Sequence, residues 1–264
     1  ISIRKFSKKP MTLERLMELE SLSQEVAEFL KLLVQAGYNI FISGGTGCGK
    51  TTFLNALSAY IPKTDRVITI EDSAELQFQN VPNLVRLETR NANGQGAEEI
   101  SIRDLIRTAL RMRPDRIVVG EVRGAEAWDM FQAMNTGHDG SLSTGHANSD
   151  RDMLLRLETM MAMGEKVDFS VIQRQIVTGL DILIHLGRMR DRTRKVLQIS
   201  ELCGIKNGEI YLNTLYRFQE TGVKGEKVHG IWKKESSLQN RQKLEEKGRI
   251  LPSRHWRGHC LTDT

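Results

Sequence analysis

From Gly44 to Thr51 the chain reads Gly-Gly-Thr-Gly-Cys-Gly-Lys-Thr, which fits the G-x-x-x-x-G-K-[ST] spacing of a phosphate-binding loop. Its surroundings constrain the fold more than the motif does. The apolar run Asn39-Ile-Phe-Ile-Ser43 leads in as a buried strand, and Thr52-Phe-Leu-Asn-Ala-Leu-Ser58 leads out as a helix. A strand that ends at the loop and a helix that starts there form one half of a βα unit. Glycines let the backbone turn its N–H groups inward, and the helix N-terminus adds positive potential. Gly44, Gly45, Thr46, Gly47, Cys48, Gly49, Lys50, Thr51 and Thr52 therefore form the candidate nucleotide site. In it Lys50 is suited to the β- and γ-phosphates and the Thr51 hydroxyl to Mg²⁺. The implied ligands are ATP and Mg²⁺; the alternative is a chance glycine-rich turn.

Further strands follow at Arg66–Ile70, 83–90, Arg116–Gly120 and Ser141–Thr144, separated by helices at 101–112 and about 124–135. Ser101 and Asp104 have capping-box spacing, and an earlier helix starts after Ser23 and stops at Gly37. Two more helices are expected near 150–162 and 168–179. Alternating strands and helices predict an α/β fold, a mostly parallel sheet with helices on both faces. After 180 the pattern changes to an antiparallel meander over about 181–218, with Asn207-Gly208 as a hairpin turn. The expected organisation is an edge strand at 1–9, a nucleotide-binding domain at 10–218, and a basic, helical extension at 219–264.

Composition excludes several classes. No apolar run is long enough for a membrane span. The three cysteines, Cys48, Cys203 and Cys260, are odd in number and far apart, which fits neither a disulfide framework nor a zinc site and points to a reducing cytoplasm. The formal net charge is +5, and residues 231–264 hold eight Lys/Arg against four acids. A basic tail of this kind is either a solvated amphipathic helix or a contact for acidic lipid, nucleic acid or protein. The chain begins at Ile1, so a natural N-terminus upstream is expected.

Ligands of open α/β sheets sit at the carboxyl ends of strands. Lys50, Glu71, Glu121 and His146 all follow strand ends and are expected to converge. Glu121 is the expected metal-side and water-activating acid, Glu71 a second carboxylate, and Arg123 a partner for Glu121 or phosphate. His138 and His146 flank one short strand and are expected to read the γ-phosphate together. Cys48, at a helix N-terminus, is expected to have thiolate character, so that thiol reagents block nucleotide binding.

Three further stretches join the loop: Ile70-Glu-Asp-Ser-Ala-Glu75, Arg113-Pro-Asp-Arg-Ile-Val-Val-Gly-Glu-Val-Arg123 and Thr136-Gly-His-Asp-Gly-Ser-Leu-Ser-Thr-Gly-His-Ala-Asn148. In this order they resemble the Walker A, Asp box, Walker B and His box of type II/type IV secretion ATPases, over roughly residues 1–250. Ala109-Leu-Arg-Met-Arg-Pro-Asp115 and Met134-Asn-Thr-Gly-His-Asp-Gly140 are most like the CpaF (TadA) branch, which serves Tad pili. The resemblance implies a RecA-like fold and Mg²⁺-dependent ATP hydrolysis. It implies a cytoplasmic hexamer docked on an inner-membrane platform protein, with peripheral membrane contact; no nucleic-acid partner is expected. Residue by residue it makes Lys50 and Thr51 the phosphate and Mg²⁺ ligands and Glu71 the Asp-box acid. Glu121 becomes the Walker B glutamate, followed by Arg123, and His146 the His-box residue. Ile1–Phe6 would be the last strand of a largely missing N-terminal domain, and Cys48 stands where serine is common.

Among Arg86, Arg90, Arg103, Arg107, Arg111 and Arg113, Arg90 and Arg113 are the first candidates for an arginine donated to a neighbouring subunit. Two other readings stay open. One is a RecA-like nucleic-acid motor, against which stand an aromatic content of 6% and no aromatic–basic interleaving. The other is a nucleotide-binding scaffold that does not hydrolyse.

Overall fold

The computed structural model describes residues 11–92 and 98–251. The expected strand at 1–9, Cys260 and the end of the basic tail lie outside them. Six strands run parallel in the order β3-β2-β4-β5-β1-β6: β1 (Ile40–Gly44), β2 (Arg66–Glu71), β3 (Asn83–Glu88), β4 (Arg116–Val119), β5 (Leu142–Gly145) and β6 (Ile182–Arg188). Side chains alternate across this sheet and build two cores. Ile40, Ile42, Val67, Val118 and Ile184 face α1 (Leu13–Glu18), α2 (Gln24–Ala36) and α3 (Lys50–Ser58). Phe41, Ile68, Ile70, Val119 and Leu183 face α4 (Ile102–Leu110), α5 (Glu126–Met134), α6 (Asp150–Gly164) and α7 (Phe169–Gly179). This is the expected α/β architecture.

Local signals set the helix ends. Ser23 accepts from Val26 N at 3.2 Å, and Gly37, at φ +86°, closes α2 in the left-handed conformation. Ser101 and Asp104 form the full capping box of α4.

The antiparallel part departs from expectation. β6 is followed by β7 (Arg194–Lys206), β8 (Glu209–Lys224) and β9 (Lys227–Lys234), all antiparallel neighbours. Asn207 and Gly208 both have positive φ, as a two-residue hairpin turn requires. The meander thus runs past 218, and part of the expected helical extension, 219–224 and 227–234, is strand; among the described residues its helix is α8 (Gln242–Glu246). The outer end of β8, 219–224, is exposed throughout, so no alternation marks it, although Val228 opposite it on β9 is buried. Its inner end is fixed by Trp232, which donates Nε1–H to Val196 O at 2.7 Å and packs on Phe218.

The chain then folds back under the parallel sheet. Lys243 Nζ reaches Asp139 and Asp181, both at 2.7 Å, and Tyr38 donates to Asn240 O at 2.6 Å. Part of the basic tail's charge is therefore neutralised within the chain. Among the described residues no helix is long and apolar enough to cross a membrane.

Candidate functional site

The loop after β1 depends on its glycines. A Cβ at Gly44 would run into Leu186 O and the Cys48 sulfur, so the strand can leave the sheet here only as glycine. Gly47 and Gly49 hold φ of +73° and +97°. Lys50, at the start of α3, is buried, and its Nζ donates to Gly44 O at 3.0 Å and Gly45 O at 3.3 Å. The same Nζ lies 3.2 Å from His146 Nδ1, at the carboxyl end of β5. Burial, opposed by the Glu121 charge, lowers the Lys50 pKa.

Glu121 follows β4. Its Oε2 takes Arg123 Nη2 at 2.7 Å, and Oε1 lies 2.9 Å from His146 Nε2. That second pair is not aligned as a hydrogen bond, so Oε1 is buried without a hydrogen-bond partner among the described residues. Burial alone would raise the Glu121 carboxyl. The Arg123 hydrogen bond, with the charges of His146, Arg123 and Lys50, outweighs it and holds the group below its ordinary pKa. His146 is pushed down by burial and then by Lys50, against the pull of Glu121. Lys50, Glu121, His146 and Arg123 thus form one contiguous cluster across three strand ends. A cleft of about 240 Å³ beside it is lined by Gly45, Thr46, His146, Asn148, Asp152 and Arg156, among others.

Glu71 ends β2 as a buried side chain. Its Oε1 accepts from Glu75 N at 2.9 Å and Leu76 N at 2.8 Å, which holds the following loop in place. Burial raises its pKa against those two donors. It packs on Gly120, where an added Cβ would sit 3.0 Å from Glu71 Cγ, so Glu71 lies directly behind Glu121.

A Mg²⁺ ion fits this donor set. Glu121 offers an orphaned, ionised carboxylate oxygen, and Thr51 follows Lys50 on the first turn of α3. Among the described residues no three His, Cys, Asp or Glu side chains form a metal cage. Mg²⁺ held through phosphates and a hydroxyl needs none.

Two expectations are corrected. His138 does not join His146. It precedes β5 at the opposite end of that strand, with Nδ1 3.0 Å from Ala133 O, because an extended strand carries its two flanks apart. Cys48 is not a primed thiolate: it is buried, and burial pushes its thiol up despite Lys50 and Arg194. Of the arginines, Arg103 and Arg107 are held by Asp129 at 2.5 and 2.8 Å, and Arg90 by Glu98 O. Arg113 lies just before β4, at the sheet end away from the loop.

Two site residues carried no sequence signal. His185 on β6 places Nδ1 2.9 Å from Ser43 Oγ, bracing the strand that enters the loop. Arg194 on β7 donates Nε–H to Gly47 O at 2.8 Å. Both lie more than a hundred residues from the motif, so only the sheet brings them there.

Behind His146, Asp150 opens α6 as a buried carboxyl. It accepts from Ser200 Oγ at 2.6 Å through Oδ2, while Oδ1 has no partner among the described residues. Burial pushes its pKa up to about 7. An acid raised in the fold stabilises it fully below its unfolded pKa and loses that contribution as pH rises through the folded one. Urea unfolding of Asp150→Asn should therefore show a variant up to about 4 kcal/mol more stable than the parent at pH 8, with the gain fading toward pH 4. A gain independent of pH contradicts a raised carboxyl.

A family model described as Type II/IV secretion system protein matches residues 1–247. The type IV secretion system protein PtlH of Bordetella pertussis is 41% identical over 165 residues, 61% of this chain and 48% of PtlH. The conjugal transfer protein TrbB of Rhizobium radiobacter is 32% identical over 209 residues, 78% of this chain and 61% of TrbB. The chain thus spans about half the length of the curated relatives it matches. The crystal structure of the VirB11 ATPase from the Brucella suis type IV secretion system superposes with a TM-score of 0.60 at 30% identity, over 74% of this chain and 64% of that one. The pilus retraction motor PilT, at 23% identity and a TM-score of 0.50 over 80% of this chain and 54% of its own, shows the shared fold alone. A match that runs through the parallel sheet, the loop and the antiparallel strands alike places the chain in the type II/IV secretion system protein family.

Proposed function

We propose that this chain is the catalytic part of a Mg²⁺-dependent ATPase that drives pilus assembly or protein secretion. The observation that carries this reading is the contact of Lys50, His146 and Glu121 across the carboxyl ends of β1, β5 and β4. Loop N–H groups and Lys50 would bind the triphosphate. Lys50 already holds loop carbonyls, so phosphate oxygens replace one acceptor set by another at little desolvation cost. Thr51 and Glu121 would hold Mg²⁺, which neutralises phosphate charge. Glu121 orients the attacking water, Glu71 supports that carboxylate from behind, and His146 reads the γ-phosphate. Arg123 keeps Glu121 ionised and aimed.

The four ordered sequence boxes favour the CpaF (TadA) branch and a Tad-type pilus. The same resemblance favours a hexameric ring on the cytoplasmic face of the inner membrane, docked on a platform protein. A ring explains the exposure of the Arg123 side chain, 65%, and of the cleft beside the loop, surfaces that a neighbouring subunit would cover. The pairing of Arg103 and Arg107 with Asp129 weakens the nucleic-acid reading, since those guanidinium groups are engaged within the chain.

Phosphate release from ATP should be measured with and without Mg²⁺ across a series of protein concentrations, with Lys50→Ala alongside. Specific activity should rise with concentration, require Mg²⁺ and vanish in the variant. ATP binding without turnover at any concentration would favour a scaffold and overturn the reading for this chain.

A further inference from the structure

Arg194 is the first residue of β7, 147 positions from the loop residue it touches. Its Nε donates to Gly47 O at 2.8 Å, and its Cδ would lie 3.2 Å from a Cβ built on Gly49. The side chain therefore lies along the outer face of the loop. Among the described residues it has no carboxylate partner and no other acceptor. The turn that carries it is fixed in turn. Asp191 accepts from Thr193 N at 2.9 Å, Thr193 Oγ1 at 2.6 Å and Val228 N at 2.7 Å, which ties the turn to β9.

The Gly47–Cys48 peptide lies between two glycines of positive φ and has no side chain at Gly47 to hinder its rotation. In a trans peptide the C=O and the next N–H point in opposite directions. Whatever holds Gly47 O outward turns Cys48 N–H inward. That N–H has only a long contact, 3.4 Å to Gly45 O, across the loop. We propose that Arg194 is a positioning residue for the phosphate cradle: by holding the Gly47 carbonyl it fixes the 47–48 peptide with the Cys48 N–H facing the phosphates. The antiparallel extension thereby completes a nucleotide site that the parallel sheet alone leaves loose. This inference rests on the nucleotide-binding reading above.

Two variants of matched length out to the Nε position test it. In Arg194→Gln the Nε2 stands at the chain position of the arginine Nε, so the donor stays and the charge goes. In Arg194→Met a methyl group stands there, so both go. ATP and ADP affinities, steady-state kinetics and amide hydrogen exchange at Cys48 are read for each. Arg194→Met should weaken ATP and ADP alike by about tenfold, leave kcat at saturation within about twofold, and speed Cys48 exchange. Arg194→Gln should stay within about threefold of the parent in affinity and keep its exchange rate. Parent-like binding and exchange in Arg194→Met overturn the assignment. So does an Arg194→Gln as weak as Arg194→Met, which would mean that charge and not peptide orientation matters. Nucleotide binding by the parent, lost in Lys50→Ala, is the separate check; a parent that binds neither ATP nor ADP removes the underlying reading as well.

Discussion

Glu121→Gln is expected to lower kcat by about 10²–10³ while leaving ATP affinity unchanged or slightly tighter, because general-base and water-orienting groups contribute on that scale. The geometry separates the two effects. Among the described residues Glu121 makes no bond to the loop carbonyls or to Lys50; its polar contacts there are Arg123 and His146. Glutamine keeps the size and one acceptor, so the strand end stays packed. What goes is the charge, the orphaned carboxylate oxygen and the ability to take a proton. Removing a negative charge near a triphosphate also reduces repulsion, hence the slight gain in affinity. Single-turnover hydrolysis and equilibrium binding of ATP, run on the same preparation, check both halves. A variant that turns over within about threefold of the parent would move the water-activating role elsewhere, with Glu71 next in line. Loss of binding with or without Mg²⁺ would make Glu121 a structural strut, whereas loss confined to the Mg²⁺-bound nucleotide would make it chiefly a metal ligand.

The sequence revealed what local rules control. The strand–loop–helix unit, the caps of α2 and α4, and the acid at the tip of β4 each depend on residues a few positions apart, and all appear in the structure where patterning places them. Convergence of Lys50, Glu121 and His146 was also legible, since a parallel sheet brings its strand ends to one side. The rest depends on tertiary facts. Two histidines flanking β5 in sequence say nothing of a strand's ability to separate them. A cysteine at a helix N-terminus reads as activated until its burial is known, and desolvation then outweighs the nearby cations. The β8–β9 hairpin escaped because strand patterning reports a buried face, and residues 219–227 around its turn are all exposed, with Val228 buried alone beyond them. Arg194 carried no sequence signal, because its acceptor is the backbone carbonyl of a loop residue that only the sheet brings to it.

Arg116→Ala should cost about 3–5 kcal/mol, the second large effect, although the residue is far from the loop. Arg116 opens β4 with a side chain only 4% exposed. Its guanidinium reaches Asp65 Oδ2 at 2.6 Å, Val34 O at 2.7 Å and Gly140 O at 3.4 Å. It therefore joins the end of α2, the entry to β2 and the turn into β5. Gly140, at φ +81°, must be glycine, since a Cβ there would collide with the guanidinium. Truncation takes this donor from Gly140 O and the Asp65 carboxylate, leaves Val34 O with the longer Gly37 N–H at 3.3 Å, and opens a cavity besides. The mirror experiment tests the mechanism. Asp65→Ala leaves a buried cation held by carbonyls alone and should also be strongly destabilising. Arg116→Met with Asp65→Leu removes both charges and should recover at least half of the larger single loss, because a buried pair contributes less than either orphan costs. Denaturant unfolding of the four proteins reads this directly, and strict additivity of the two sites would refute it. The consequence reaches the active end. β4 and β5 are four residues each, so the frame that Arg116 fixes at one end sets where Glu121 and His146 stand at the other.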